Sequence, residues 1–378
     1  MKIAIVADNF DMGGIQRVSK VIGEKLSEIH DVHFYSMYRT DNYYGIEKNF
    51  VSPTIPFIYE FLIKACSKSL RSVESIIKNG EFSQVRYRIF FLKRLIHFIE
   101  ANKIETVILT SPVLIASIFY LKNYTNAKYV AWIHNNYDTY INKYTKGYNR
   151  EFYKGLGAAD KVICLTKYDY SQFLLLNNNT TYIYNPLTIN NKNISSLREK
   201  KISFTGRIEF KHKGIDYLVE IAKRIPDDWK IEIAGSGKKK QVDKLIKLIK
   251  FEQLEKKVIF KGPLKEELAE HYLGSSIYLM TSRWEGMPLV LAEAMSFGLP
   301  IIAFSQTGSN EVLNFGKYGD LVENGDIKEM SKRLNNLINS FEKREKYQKL
   351  SLKRVKDFNL EQIVEEWLSI IEECEGNE

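Results

Sequence analysis

The stretch SIYLMTSRWEGMPLVLAEAMSFGLPIIAF, Ser276 to Phe304, sets two apolar runs around one helical segment. SIYLMTS (276–282) and PIIAF (300–304) are short and apolar on both faces, as strands buried inside a parallel sheet are. Between them, Pro288 suits a first helical position, and Gly298 followed by Pro300 closes the segment, so the spacing predicts a helix over about 288–297. Strand, helix, strand in so short a span is a parallel unit, and it places the chain in the α/β class.

The same alternation runs outward in both directions. KIAIVAD (2–8), VHFYSMY (32–38), TVILTS (106–111), KYVAWIH (128–134) and KVICLT (161–166) predict one doubly wound sheet. KISFTG (201–206), KIEIAGSG (230–237) and KVIFKG (257–262) join the opening stretch in a second. TYIYNPLTINNKNISSLREK, rich in Asn and Ser, lies between the two series. The expected division is 1–187, 188–355 and a closing segment 356–378, whose FNLEQIVEEWLSIIEE reads as a helix that docks. A chain of 378 residues, 44% hydrophobic, is long enough for two cores.

The net charge of +9 points to anionic partners without choosing among nucleic acid, membrane and phosphorylated small molecules. Cys66, Cys164 and Cys374 are odd in number and far apart, which argues against a disulfide framework and for a reducing, cytoplasmic setting. The N-terminal MKIAIVADNF is too short in apolar residues for a signal segment, and no apolar run approaches the roughly 20 residues that span a bilayer. From Phe61 to Arg94, eight Lys or Arg face two Glu, interleaved with Phe, Leu, Ile and Tyr. Two readings stand: a solvated face on helices that cover the sheet, or a basic amphipathic surface for anionic lipid or a lipid-linked phosphate.

Glu293 stands alone among Val290, Leu291, Ala292, Ala294 and Met295. It lies more than one turn inside its helix, so the helix dipole does not account for it. It either pairs with a core Arg or Lys or accepts from ligand hydroxyls. Glu285 sits in the loop before that helix, whose first backbone donors lack internal partners. In TGRIEFKHKGIDYLVEIAKRI (205–225), Arg207, Lys211, His212 and Lys213 crowd a helix start, which disfavours cations unless an anion is present. Arg207 and Lys213 either clamp a diphosphate or reach into solvent; Lys211 and His212 are read as solvated. In DNFDMGGIQRV, Gly13 and Gly14 open a helix from about Ile15, as a tight turn or as a close approach to a ligand. His134, at the carboxyl end of a strand, is a ligand contact or a buried structural histidine. Asp138 and Asp160 read as structural. IAGSGKKK, with Gly235 and Gly237, is no Walker loop, and DxD, GxSxG, HExxH and CxxC are absent, so neither a metal nor a cofactor is expected. The scattered Trp132, Trp229, Trp284 and Trp367 form no base-stacking platform, and no nucleic-acid partner is expected.

Glu285 and Glu293 reproduce, as EGMPLVLAEAM, the EX7E signature of the retaining GT-B glycosyltransferases called family 4, and the chain resembles that family over nearly its whole length. VIFKGPL, TGSNEVL, GGIQRV and a GR followed by KG fit in order and spacing; Thr307–Gly308 stands where a double glycine is common, and the basic region is no hallmark. The resemblance implies a GT-B fold, two Rossmann-like doubly wound domains facing across a cleft, the first for acceptor and the second for a nucleotide-sugar. By that resemblance Arg207 and Lys213 bind the diphosphate, with Gly206 at the turn, and Glu293 holds the ribose. Glu285, with the backbone of Gly286, Met287, Pro288 and Leu289, reads the sugar; Gly13 and Gly14 let the first domain close; His134 contacts the transferred sugar. The implied activity is metal-independent transfer of a glucose-, galactose- or N-acetylhexosamine-type hexose from a UDP-sugar, with retention. Its acceptor would be a lipid-linked or polymeric envelope glycan of capsule, exopolysaccharide, lipopolysaccharide or teichoic-acid type. The protein would be cytoplasmic, with peripheral contact through 61–94 to the inner face of the membrane. The rival expectations are a non-catalytic nucleotide-sugar scaffold or sensor and a GT-B-like epimerase.

Overall fold

Every strand pairing in the computed structural model, which describes residues 1–189, 191 and 193–375, is parallel. Two units result, Met1–Asn185 with the segment from Glu361 on, and Pro186–Leu360. The two linker positions Asn190 and Lys192, and the last three residues of the closing segment, lie outside the described residues.

In the first unit β1 (Lys2–Ala7), β2 (Asp31–Ser36), β3 (Phe50–Val51), β4 (Thr106–Leu109), β5 (Lys128–Trp132), β6 (Lys161–Cys164) and β7 (Thr180–Tyr182) run in the order β3-β2-β1-β4-β5-β6-β7. The β1, β4, β5 and β6 side chains are almost wholly buried on both faces, which is why these runs carry no polar alternation. Helix α1 (Gly14–Leu26) follows β1; α2 (Phe57–Ile77) and α3 (Ile89–Asn102) lie between β3 and β4.

In the second unit β8 (Lys201–Thr205), β9 (Lys230–Ala234), β10 (Val258–Gly262), β11 (Ile277–Met280), β12 (Ile301–Phe304) and β13 (Asp320–Val322) run in the order β10-β9-β8-β11-β12-β13. Its core gathers Ile202, Phe204, Ile231, Ile233, Leu279 and Ile302 from the strands with Leu218 and Val219 of α4 (Ile215–Ala222). Among its other helices are α5 (Leu289–Ser296), α6 (Thr307–Val312) and α7 (Phe341–Arg354). The last helix, α8 (Leu360–Glu375), returns to the first unit: the Trp367 ring lies 4.6 Å from that of Trp132 on β5, and Lys161 pairs with Glu373 at 2.7 Å.

Strands β3, β7 and β13, of two or three residues each, were outside the predicted series, being too short to show an apolar run. Helix α5 begins one residue later than expected. Pro288 has a ψ of 109° and so caps the helix instead of opening it. Its end follows the predicted glycine. Gly298, at φ 73°, donates to the Met295 carbonyl at 2.9 Å and Leu299 donates to that of Ala294 at 3.0 Å, the paired bonds of a Schellman turn.

Candidate functional site

In each sheet the strand order reverses once, between β1 and β4 in the first unit and between β8 and β11 in the second. Such a reversal parts the loops at the carboxyl ends of two neighbouring strands and leaves a crevice there. The sequence puts Gly206 and Arg207 directly after β8, and Arg283 to Pro288 after β11, so the residues singled out above fall at this point of the second unit.

Two close backbone approaches shape it. Gly214, at φ 62°, lies so near the end of β11 that a Cβ would come within 2.1 Å of the Thr281 carbonyl oxygen. A Cβ on Gly308 would meet the Gly286 carbonyl at 2.5 Å, so the loop carrying Glu285 presses on the start of α6. Gln306 ties the two together: its Oε1 accepts from the backbone N–H of Glu285 at 3.1 Å and of Gly308 at 2.8 Å.

Arg283 anchors the other side of this loop. Its guanidinium grips Asp216 of α4 with two bonds, at 3.0 and 2.5 Å, donates to the Phe210 carbonyl at 2.7 Å and lies over the Tyr217 ring at 3.8 Å. A forked donor in this geometry fixes direction as well as distance. Nothing local in the sequence marks Arg283 and Asp216 as partners, since they lie 67 positions apart.

Glu285 is buried, and its Oε1 accepts from Lys213 Nζ at 2.5 Å while Oε2 lies 3.6 Å from His212 Nε2. Burial pushes its carboxyl up, but Lys213 and then His212 outweigh that and hold it down at about 2. His212 is not the solvated residue expected from KHK. Its ring stacks on Trp284, 4.7 Å away and 8° from parallel, and its Nε2–H donates to the Trp284 carbonyl at 2.8 Å. Arg207 is the outlying member, mostly exposed, with Glu209 at 3.9 Å. The structure therefore joins Lys213 to Glu285 and leaves Arg207 turned to solvent.

Glu293 is 1% exposed on α5. A phenol donates to its carboxylate, Tyr272 Oη at 3.0 Å, where the sequence left an Arg or Lys pair open. Burial, and then the Glu293 charge, push that phenol well up, so it stays protonated and donates. The backbone of Met287, Pro288 and Leu289 leads into α5, whose opening N–H groups point out of the helix start.

In the first unit, Gly13 caps α1 with extended backbone, its N–H donating to Tyr44 Oη at 3.2 Å and its carbonyl accepting from that hydroxyl at 2.9 Å. Gly14 is the first residue of α1. His134 follows β5, its ring 4.3 Å from that of Trp132 and its backbone N–H donating to Tyr140 Oη at 3.2 Å. Burial drives its imidazole down to about 3, so it is neutral at physiological pH, and its Nε2 has no partner among the described residues. Asp160 accepts from Tyr129 N–H at 2.7 Å and Lys122 at 2.8 Å, a structural role. Among the described residues no group of three or more His, Cys, Asp or Glu is placed to hold a metal ion.

Residues 188–354 match the family profile described as Glycosyl transferases group 1. An "Uncharacterized glycosyltransferase" of Haemophilus influenzae is 33% identical over 288 residues, 74% of this chain and 79% of that protein. The "Amylovoran biosynthesis glycosyltransferase AmsD" of Erwinia amylovora is 27% identical over 98% of this chain and 99% of its own. Among solved structures, Anabaena Alr3699/HepE in complex with UDP superposes with a TM-score of 0.75 at 16% identity, covering 99% of this chain and 100% of that one.

Proposed function

Because the chain belongs to the group 1 glycosyl transferases and has their GT-B fold, we propose that it moves a hexose from a UDP-sugar, with retention and without a metal, to a lipid-linked or polymeric cell-envelope glycan. The observation that carries this reading is the pair Glu285 and Glu293, two buried carboxylates that bracket the start of α5 at the strand-order reversal. A buried carboxylate needs donors, and Tyr272 supplies one to Glu293 while a vicinal ribose diol supplies two more.

Each remaining group takes a part that suits its chemistry. Lys213, held on Glu285, and Arg207, on its exposed stem, meet the diphosphate, the one as a point charge and the other as a planar fork. Glu285 and the backbone of Gly286 to Leu289 meet the sugar hydroxyls. The chemistry then needs no protein nucleophile: as the bond from the anomeric carbon to the diphosphate lengthens, Arg207 and Lys213 stabilise the charge left on the departing oxygen, and the acceptor hydroxyl enters on the same face and gives its proton to that oxygen. The first unit, whose Gly13–Gly14 turn and neutral His134 lie at strand ends, is assigned the acceptor. UDP in the HepE complex supports the choice of nucleotide.

A thermal-shift screen across UDP-, GDP- and ADP-sugars tests the donor, since a ligand of the native state raises its melting temperature. Transfer from radiolabelled UDP-sugar, with the anomeric configuration of the product read by NMR, tests the reaction. UDP binding without transfer to any envelope glycan acceptor would make the protein a sensor or scaffold and overturn the proposal.

A further inference from the structure

Helix α2 is amphipathic the wrong way round for a helix that only covers a sheet. Its buried charged residues are Glu60 and Glu74. Glu60 accepts from the Arg39 N–H at 3.1 Å and from Lys64, while Glu74 accepts from the Ser83 N–H at 3.1 Å and from Lys78. Ser67 donates to the Tyr87 carbonyl and Arg71 to Gln84, so this inward side is the one that packs on the protein. The outward side carries Ile58, Phe61, Leu62, Val73, Ile76 and Ile77, all exposed, Ile76 to 80%. At about 100° per residue these six fall within an arc of about 160°. An apolar arc of this kind, laid open on one helix, marks an interaction surface.

Charge says what covers it. From Phe57 to Arg94 there are eight Lys or Arg and three Glu; Lys64, Lys78 and Arg86 pair with Glu60 and Glu74, Arg88 pairs with Asp8, and the exposed cations outside these pairs are Lys68 and Lys93. Lys68 is exposed at the edge of the apolar arc, and Lys93 and Phe90 are exposed at the start of α3. A second copy of this surface would set cation against cation, whereas anionic headgroups complement it. Helix α2 extends about 31 Å, long enough to lie along an interface, and among the described residues no helix is long and apolar enough to cross a membrane.

We propose that the outward face of α2, together with Phe90 and Lys93 of α3, whose preceding turn is tied to α2 through Ser67 and Tyr87, docks in the interfacial layer of an anionic phospholipid bilayer. The apolar arc enters the boundary between headgroups and acyl chains, and the flanking cations sit among the phosphates. This surface is independent of the donor chemistry, and vesicle binding can be read without any sugar-nucleotide.

The test is co-sedimentation of the full chain with vesicles of phosphatidylcholine alone or of equal parts phosphatidylglycerol and phosphatidylcholine. The protein should pellet with the anionic vesicles and be released by salt. Ile58→Glu with Ile76→Glu should abolish pelleting, and Lys68→Ala with Lys93→Ala should weaken it about 30-fold. Both variants alter exposed positions outside the donor site, so their circular dichroism and UDP thermal shift should match the parent. Equal pelleting with both vesicles, no pelleting, or pelleting indifferent to the Ile substitutions would overturn the proposal. So would a dimer in sedimentation velocity that the Ile substitutions dissolve, since a second copy would then be the occupant.

Discussion

Replacing Lys213 with Met removes the cation 2.5 Å from a carboxylate that the fold has already taken out of water. The size of the effect follows from Glu285 itself. Its carboxyl is held at about 2 against an ordinary 4.5, a gap worth about 3 kcal/mol at 1.36 kcal/mol per unit, and breaking a buried pair from one side is in the range of about 3–5 kcal/mol. In the parent, a carboxyl depressed in the folded state contributes stability that is in place above about pH 4.5 and is lost as pH falls through about 2. Without Lys213 the balance reverses, because burial is the largest influence on Glu285 and raises its pKa. A raised carboxyl favours folding only while protonated, so the penalty should be greatest near neutrality and should shrink as pH falls towards about 4. Urea unfolding of the full chain, followed by hydrogen exchange in peptides covering 276–304, would read this. A loss below about 0.5 kcal/mol at neutral pH, the range of ordinary surface substitutions, would refute the reasoning. So would a loss equal at both pH values.

Other changes separate folding from chemistry. Arg207→Ala, at a mostly exposed side chain, should leave unfolding within about 0.5 kcal/mol of the parent while sugar transfer falls about 10²-fold; unchanged transfer would remove Arg207 from the mechanism. Glu293→Ala strands the buried Tyr272 hydroxyl and should cost about 1–3 kcal/mol in denaturant titration, with the UDP thermal shift lost as well. Gly214→Ala forces a Cβ against the Thr281 carbonyl at a φ of 62°, and should lower the melting temperature more than Arg207→Ala does. His134, depressed to about 3 in the folded state, takes up its proton more readily when unfolded, so stability should decline as pH falls from about 6.5 towards about 3. His134→Gln should flatten that part of the stability profile.

What the sequence disclosed was whatever lay within one run of residues. SIYLMTS and PIIAF announced buried strands because both faces are apolar, and Gly298 announced the end of α5 because a left-handed residue was needed there. The two glutamates were conspicuous because charge in an apolar run needs a reason. His212 was hidden by its neighbours: among Lys211 and Lys213 it looked like part of a charged loop, and only the fold brings Trp284 beneath it. Tyr272 and the Arg283–Asp216 grip were equally silent, since nothing local marks a partner 21 or 67 positions away. In α2 the interleaving of Lys and Arg with Phe, Leu, Ile and Tyr was plain, but such a mixture does not say which side faces in. Glu60 and Glu74 settled that by finding backbone donors.

The return of α8 to the first unit bears on how the molecule is made. The Trp132 indole, deep beside the β5 strand, finds the Trp367 ring only after the whole of the second unit has been translated. On the ribosome the amino-terminal sheet must therefore wait with one flank uncovered, while the unit begun later can fold first. Chaperone demand should fall on residues 1–185 during that interval, and deleting α8 should harm the half of the protein that is synthesised first.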